Sequence, residues 1–265
     1  MKKIWAEILI ILFLGLTPLF WYKPGTIALG HDMGFPLAPI DHFSDRLYMW
    51  TQRVGGFGSD QSDGTSGFFI HGLEALLSKS GLSLVVTQQI SFIFWFTAPA
   101  LGMYFLLSTL FPKESQRVTR LAGTVLYMFN HFFLQAWFIA ERPKFSLATA
   151  LPIVLGLVIM GMRRVRPVWQ MALGVGITLF VFNAGPGIPL YAGMLLAVGI
   201  VMLWQIRSKA DLLLAIRLAL GSLLATVILG AYWLGPLVYY SYQEFTSRVN
   251  EAGGTQGAIN WSREI

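Results

Sequence analysis

The residues best suited to chemistry follow the first apolar stretch, in Gly30-His31-Asp32-Met33-Gly34-Phe35-Pro36. Glycines on both sides of Asp32 allow a ligand to approach the backbone closely. A carboxylate in such a place can act as a general base or hold a divalent cation through its oxygens. Aspartate also caps turns frequently, so a structural role for Asp32 is the alternative.

A second candidate group, Glu141-Arg142-Pro143-Lys144, ends the third apolar stretch, which contains Asn130, His131 and Gln135. Asn130 and Glu141 are eleven residues apart, a spacing that returns to nearly the same face of a continuous helix. Polar side chains at membrane depth usually face a protein interior or a watery cavity. We therefore expect this helix to line a cavity with Glu141 at its mouth. The alternative is that the amides bond to other helices and that Glu141 pairs with a neighbouring cation.

The third candidate is the segment Asn183-Ala184-Gly185-Pro186-Gly187-Ile188-Pro189. The stretch before it, Val168–Phe182, would form a helix of only about 22 Å, against a bilayer core of about 30 Å. Non-helical backbone at membrane depth is tolerated where it is buried in protein or faces water. The segment therefore predicts an inward break beside an outward-facing cavity, and a plain tight turn is the alternative.

The elements that must position these residues are membrane helices. The 265 residues are 55% hydrophobic and 12% charged, with a mean hydropathy of +0.61, whereas soluble domains are about 25% charged. The composition predicts an all-α polytopic membrane protein. The absence of cysteine excludes disulfides, thiol catalysis and cysteine-based metal sites. Walker loops, dinucleotide-binding glycine motifs and HExxH are also absent from the sequence.

A bilayer crossing takes about 20 mostly apolar residues, and seven stretches approach that length. They are Ile4–Tyr22, Leu84–Phe111, Leu121–Ala140, Phe145–Met162, Val168–Phe182, Leu190–Ile206 and Leu212–Tyr240.

The charges indicate the orientation of these spans. With a cytoplasmic N-terminus, the inner segments hold eleven of the nineteen basic residues and three of the thirteen acidic ones. Basic residues concentrated in short loops on one side are the positive-inside signature. The net charge of +6 therefore records topology, and we expect no nucleic-acid partner. The start Met1-Lys2-Lys3 also fits a secretory signal peptide, but no cleavage site follows promptly, so we expect a retained anchor.

The long outer loop, residues 23–83, is expected to hold two short helices. The first begins near Pro39 and carries His42 and Arg46, which either meet an anion together or form a solvated face. The second, Ser66–Ser78, is expected to lie flat on the membrane with its phenylalanines and leucines on one face and Glu74 off that face. We divide the chain into a transmembrane domain, residues 1–242, and a polar outer tail, residues 243–265, which we expect to begin a missing region of a longer protein.

The outer loop resembles that of multi-pass GT-C glycosyltransferases, especially the arabinofuranosyltransferase-like members. The resemblance covers residues 1–83 and otherwise rests on topology. It is carried by Gly30-His31-Asp32 and by Pro36, Pro39, Phe43, Arg46, Leu47, Tyr48, Trp50 and Gly56-Phe57-Gly58.

The resemblance implies an enzyme of the cell inner membrane. Such enzymes move a sugar from a polyprenyl-phosphate donor in the bilayer to a glycan, lipid or protein acceptor on the extracytoplasmic face. Asp32 is implied as the catalytic base, or as the ligand of Mg²⁺ or Mn²⁺ if the reaction is metal-assisted, and Glu141 is a second acid by position. The expected substrate-binding residues, with phosphate contacts assigned to the cationic ones, are His31, Arg46, Arg142, Lys144 and Asn183.

Two other functions remain open at this point. A transporter or flippase of lipid-linked substrates would also have broken helices and intramembrane polar residues. A non-catalytic GT-C-like scaffold would fit the shortness of the chain.

Overall fold

The computed structural model describes most of the helical part of the chain. The described residues are 2–21, 23, 25–28, 35–48, 50–51, 59–60, 67–137, 142–183 and 188–251. The candidates His31, Asp32 and Glu141 lie outside the described residues, and only the backbone of Arg142 is described.

Ten α-helices form the described architecture. They are α1 (Lys2–Leu14), α2 (Pro39–Asp45), α3 (Phe68–Lys79), α4 (Leu84–Leu110), α5 (Arg117–Met128), α6 (His131–Ala136), α7 (Arg142–Met162), α8 (Val168–Val181), α9 (Ile188–Gln205) and α10 (Lys209–Glu251). Short 3-10 helices lie at Thr17–Phe20 and Glu114–Gln116. In the outer loop, β1 (Trp50–Thr51) pairs antiparallel with β2 (Ser59–Asp60), with Trp50 opposite Asp60. The fold is helical, as predicted, apart from this small ladder.

Three described helices are long and apolar enough to cross a membrane: Leu84–Leu110, Lys144–Met162 and Lys209–Pro236. Shorter apolar stretches occupy Ile4–Phe20, Val168–Val181 and Tyr191–Gln205. In α8, 14 residues give about 21 Å, which agrees with the short fifth stretch expected from the sequence. The expectation of about seven spans is not confirmed.

The predicted third span, Leu121–Ala140, is not one helix. Helix α5 ends at Met128, and Asn130 begins α6, where its Oδ1 accepts from the Phe133 amide at 2.9 Å and its Nδ2 donates to the Tyr127 carbonyl at 2.7 Å. Asparagine is a preferred N-cap because its side-chain oxygen satisfies an amide that the helix leaves unpaired. Helix α6 then ends at Ala136, so the prediction that Asn130 and Glu141 share the face of one continuous helix is wrong.

The two ends of the bundle differ in charge. Segments predicted to be cytoplasmic meet at one end, which we call the basic end: Arg164 pairs with Asp211 at 3.0 Å, and Arg120 pairs with Glu7 at 3.2 Å. Because α4 is 27 residues long, its start lies about 40 Å from this end. We call the region around that start the opposite end.

Helices α7, α8 and α10 pack through small and aliphatic side chains, such as Ala150, Val175 and Leu218. The outward face of α10 carries Leu223, Leu224 and Ile228, each more than 60% exposed. Apolar surfaces of this extent are rare on soluble monomers. The protein is therefore a membrane protein whose outer surface faces lipid.

Helix α10 continues to Glu251, so the predicted boundary at residue 242 does not coincide with a helix end. Its 43 residues span about 65 Å, roughly twice the thickness of a bilayer core. The first part of the expected polar tail is thus helical, and residues 252–265 lie outside the described residues.

Candidate functional site

Helix α3 turns its polar residues inward. His71 and Glu74 are buried, whereas Phe68 and Leu76 are 38% and 64% exposed. The sequence placed Glu74 away from the apolar face but did not predict its burial. In a lipid environment the stable arrangement directs the apolar face outward and the polar residues toward protein.

Glu74 is the centre of a buried cluster between α3 and α4. Its Oε1 accepts a hydrogen bond from Ser91 Oγ at 2.8 Å, and its Oε2 lies 3.6 Å from His71 Nδ1. Glu74, His71 and Ser91 are 1%, 5% and 4% exposed. A buried carboxylate is costly unless neighbouring groups compensate its charge, and the serine hydroxyl and the histidine ring are placed to do so.

Helix α2 extends this cluster. The rings of His42 and His71 meet edge-to-face with centroids 4.7 Å apart, and Arg46 Nε donates to His42 Nε2 at 2.8 Å. In this arrangement His42 Nε2 acts as a hydrogen-bond acceptor. His42 and Arg46 are both partly buried, and the two alternatives for them, a joint anion site and a solvated face, stay predictions. We call His42, Arg46, His71, Glu74 and Ser91 the polar cluster.

The start of α3 also brings Asn183 to the polar cluster. Gly67 has φ +79°, and a Cβ there would lie 3.0 Å from the His71 ring and 3.4 Å from the Asn183 carbonyl oxygen. Asn183 is 1% exposed, and its Oδ1 accepts from the Tyr191 hydroxyl at 3.1 Å. Its Nδ2 has no hydrogen-bond partner among the described residues. A predicted binding residue therefore offers a buried donor beside the cluster.

Ala28 is held on α4 close to Ser91 of the polar cluster. The Ala28 amide donates to Gln88 Oε1 and the Ala28 carbonyl accepts from Gln88 Nε2, both at 2.8 Å. Phe35, beyond Asp32 in the chain, is buried in the aromatic core with residues of α3 and α4. Gln88 and Ser91 are three residues apart on α4 and so are neighbours on its surface. Ala28 therefore lies within a helical turn of Ser91.

Lys144 lies at a different place, on a cavity of about 140 Å³ between α5, α6 and α7. Among the described lining residues Lys144 is the one charged side chain, and the others are Tyr127, Asn130, Phe132, Phe133, Ala136, Leu147, Ala148 and Leu151. Asn130 thus does line a cavity, although from a helix cap. His131 and Gln135 are exposed.

Within the described residues, no group of three or more His, Asp or Glu side chains converges on a point that could hold a metal ion. In the polar cluster His42 Nε2 is occupied by Arg46, and His71 Nδ1 faces Glu74. These residues do not fit a cation site, and the predicted ligand Asp32 lies outside the described part.

Two of the predicted substrate-binding residues therefore lie close to α3. Arg46 is bonded to His42, whose ring contacts that of His71, and the carbonyl oxygen of Asn183 lies next to Gly67 at the start of the helix. The sequence analysis missed the roles of His71, Glu74 and Ser91. The spacing of His71 and Glu74 could have indicated that they lie on one face of a helix. No sequence pattern indicated Ser91, because its contact with Glu74 is between two helices.

No known family model and no curated protein matches this chain. A solved structure does match: the arabinofuranosyltransferase AftD from Mycobacteria aligns over 88% of this chain with a TM-score of 0.68 and 16% identity. Over the aligned part, the protein shares the membrane-helical fold of that structure. The chain spans 18% of the length of that transferase, and at this identity the likeness concerns the fold.

Proposed function

We propose that the protein is a membrane glycosyltransferase that moves a sugar from a polyprenyl-phosphate donor to a glycan, lipid or protein acceptor on the extracytoplasmic face. The observation that carries this proposal is the polar cluster, in which Glu74, His71 and Ser91 are buried and which lies at the end of a GT-C-like bundle opposite its basic end. The carboxylate of Glu74, the two histidine rings and the Arg46 guanidinium lie together there, although charged residues are rare in this chain.

The proposed reaction is a single displacement at the anomeric carbon. The acceptor hydroxyl oxygen forms a bond to that carbon, the bond from the carbon to the phosphate oxygen breaks, and polyprenyl phosphate leaves. The hydroxyl proton passes to a carboxylate, which must lie within hydrogen-bond reach of the acceptor. We assign this base to Asp32, because it follows Ala28 in the chain, and Gln88 holds Ala28 on α4 close to Ser91. We also propose Glu141 as a second catalytic acid, because of its position in the sequence at the outer end of the predicted third span.

We assign Glu74 and His71 to positioning. Ser91 and His71 fix the Glu74 carboxylate from two sides, and the histidine pair connects it to Arg46. Arg46 is held at its Nε, which orients its guanidinium, and a guanidinium binds phosphate oxygens with charge-assisted hydrogen bonds. The buried Nδ2 of Asn183 can donate to a sugar hydroxyl, and His31 is proposed to contact the same substrate.

We place the lipid part of the donor along the cavity between α5, α6 and α7. Six of its nine described lining residues are apolar, which suits an isoprenoid chain, and Lys144 at the start of α7 is proposed to contact the phosphate on the side of the lipid, away from Arg46. Arg142 begins the same helix and is proposed to contact the same phosphate. Ligand pockets commonly combine an apolar lining with a few placed polar groups.

The test uses the full chain in lipid vesicles with a radiolabelled polyprenyl-phosphate sugar and an acceptor glycan. We expect Asp32→Asn to lower transfer at least a hundredfold, because positioned proton transfer contributes about 10²–10⁴ in rate. Asp211→Asn, at the basic end, is the matched control and should retain transfer. Full transfer by Asp32→Asn would exclude it as the base.

Glu74→Gln separates a positioning role from a catalytic one. It keeps the shape of the side chain and an oxygen for Ser91 but loses the charge next to His71. We expect a smaller decrease than for Asp32→Asn, together with a shifted pH profile, because His71 loses its negatively charged neighbour. An unchanged profile would contradict the assignment.

Flipping of lipid-linked substrates is the second candidate function. It is favoured by the helix break at Asn130 and by the short helix α8, since broken helices mark transport sites. In the same vesicles, a donor that crosses the bilayer without transfer of its sugar would support flipping and contradict the transferase.

A further inference from the structure

A second cavity lies at the basic end, far from the polar cluster. It is a groove of about 480 Å³ between α4, α7 and α9. Helices α4 and α9 both pack against α7, and the groove lies between them. Its walls are aliphatic, with Leu106 from α4, Ile159 from α7 and Val201 from α9. The volume lies in the range of ligand sites, about 300–1,000 Å³.

Two arginines border this groove at the ends of α7 and α9. Arg163 Nη1 donates to the Thr109 carbonyl at 3.3 Å, which holds its guanidinium over the end of α4. Arg207 follows α9 and is exposed. In the part of the chain that the structure describes, neither guanidinium is within ion-pair distance of a carboxylate. Arg164 differs, because Asp211 neutralises it.

The remaining polar features lie at the same level as the arginines. Trp204, which is 74% exposed, borders the groove, and tryptophan is enriched where bilayer meets water. Gln205 also lines it, and its buried Nε2 has no acceptor among the described residues. An ester or phosphate oxygen in the groove would provide that acceptor. The apolar walls thus correspond to acyl-chain depth, and the polar border to headgroup depth.

We infer that this groove binds an anionic membrane phospholipid, with an acyl chain between α4 and α9 and the phosphate between Arg163 and Arg207. The charge argument selects the occupant. Among the described residues, two guanidinium groups that have no carboxylate within ion-pair distance border an apolar groove, although the Arg207 backbone amide donates to Asp211 Oδ2 at 3.3 Å. They lie at the end that the positive-inside rule predicts to be cytoplasmic. Basic pockets between membrane helices on that side bind anionic headgroups. This lipid site is independent of sugar transfer.

The test is native mass spectrometry of the full chain with dioleoyl-phosphatidylglycerol and dioleoyl-phosphatidylcholine, which differ in net charge but share their acyl chains. The wild type should bind the anionic lipid at least tenfold more tightly. Arg163→Gln with Arg207→Gln should reduce its affinity by about thirtyfold, from the contribution of two cations near an anionic surface, and should leave phosphatidylcholine binding unchanged. The matched control is Arg166→Gln with Arg217→Gln, which removes two exposed charges that do not line the groove.

Val201→Trp provides a test that leaves the charges intact. The larger ring fills the groove from the α9 side, so binding of both lipids should fall while the protein elutes as a monodisperse peak. Three results would overturn the inference: equal binding of both lipids by the wild type, an equal loss in the control pair, or undiminished binding by Val201→Trp.

Discussion

Replacement of Glu7 tests how the first helix is fastened to the bundle. Glu7 is buried in α1, where it faces Arg117 Nε at 3.0 Å and Arg120 Nη2 at 3.2 Å and accepts a hydrogen bond from the Tyr104 hydroxyl at 2.8 Å. These contacts join α1 to α4 and α5 at the basic end. Glu7→Gln keeps the shape of the side chain and removes its charge, which leaves a buried arginine without a counterion.

The loss of unfolding free energy in Glu7→Gln depends mainly on Arg120. Its side chain is 7% exposed, whereas that of Arg117 is 33% exposed and partly solvated. Breaking a buried ion pair on one side costs about 3–5 kcal/mol. Arg120 keeps hydrogen bonds to the carbonyls of Phe111 and Lys113. We therefore expect the lower figure, about 3 kcal/mol, which corresponds to a decrease in Tm of about 6–12 °C for a chain of this size.

The assay is thermal unfolding of the purified full chain in detergent, followed by tryptophan fluorescence. Glu7→Met combined with Arg120→Met should lose less stability than either single change, because an apolar pair can replace a buried ion pair at little cost. The control Asp211→Asn opens an ion pair whose arginine is 61% exposed, and its Tm should change by less than about 3 °C. A Glu7→Gln protein as stable as the wild type, or a double variant whose loss equals the sum of the single losses, would refute the buried-pair argument.

Three further predictions concern the packing around the candidate site. Gly67→Ala and Gly81→Ala both place a side chain at positive φ, but only the new methyl group at position 67 contacts His71. Both variants should lose about 1–2 kcal/mol of unfolding free energy, measured by thermal unfolding. Only Gly67→Ala should also lower sugar transfer. Gln88→Leu removes both hydrogen bonds to Ala28 and should abolish most transfer while the protein still elutes as a folded species in size-exclusion chromatography. Gly102→Val places a Cβ 2.9 Å from a carbonyl oxygen of α7, so overpacking should cost about 1–3 kcal/mol, measured as a lower Tm.

Composition and charge were sufficient to predict the class of protein and the grouping of its loops. Apolar runs in a chain with 12% charged residues have no stable state in water, so the membrane-helical fold follows from solvation alone. The basic segments are separated by tens of residues in the chain, yet the structure brings them to one end, as in the Arg164–Asp211 pair. The shortness of α8 was likewise visible, because helix length follows directly from residue count.

The candidate site required contacts that no local pattern specifies. His42 and His71 are distant in sequence, and only the packing of α2 on α3 brings their rings together. The hydrophobic pattern of α3 predicted an amphipathic helix, but the same pattern allows the apolar face to point toward protein or toward lipid. The tertiary structure determines which way the helix faces, and in the orientation observed Glu74 is buried beside Ser91.

The helix break at Asn130 shows the same division between local and tertiary information. An asparagine within an apolar run fits either a buried amide in a continuous helix or an N-cap, and these two states differ little in local energy. Packing of α6 against α7 and the aromatic core selects the cap. Solvation therefore determined what kind of protein this sequence forms, whereas the orientation of each polar group depended on which neighbours the folded bundle brought within reach.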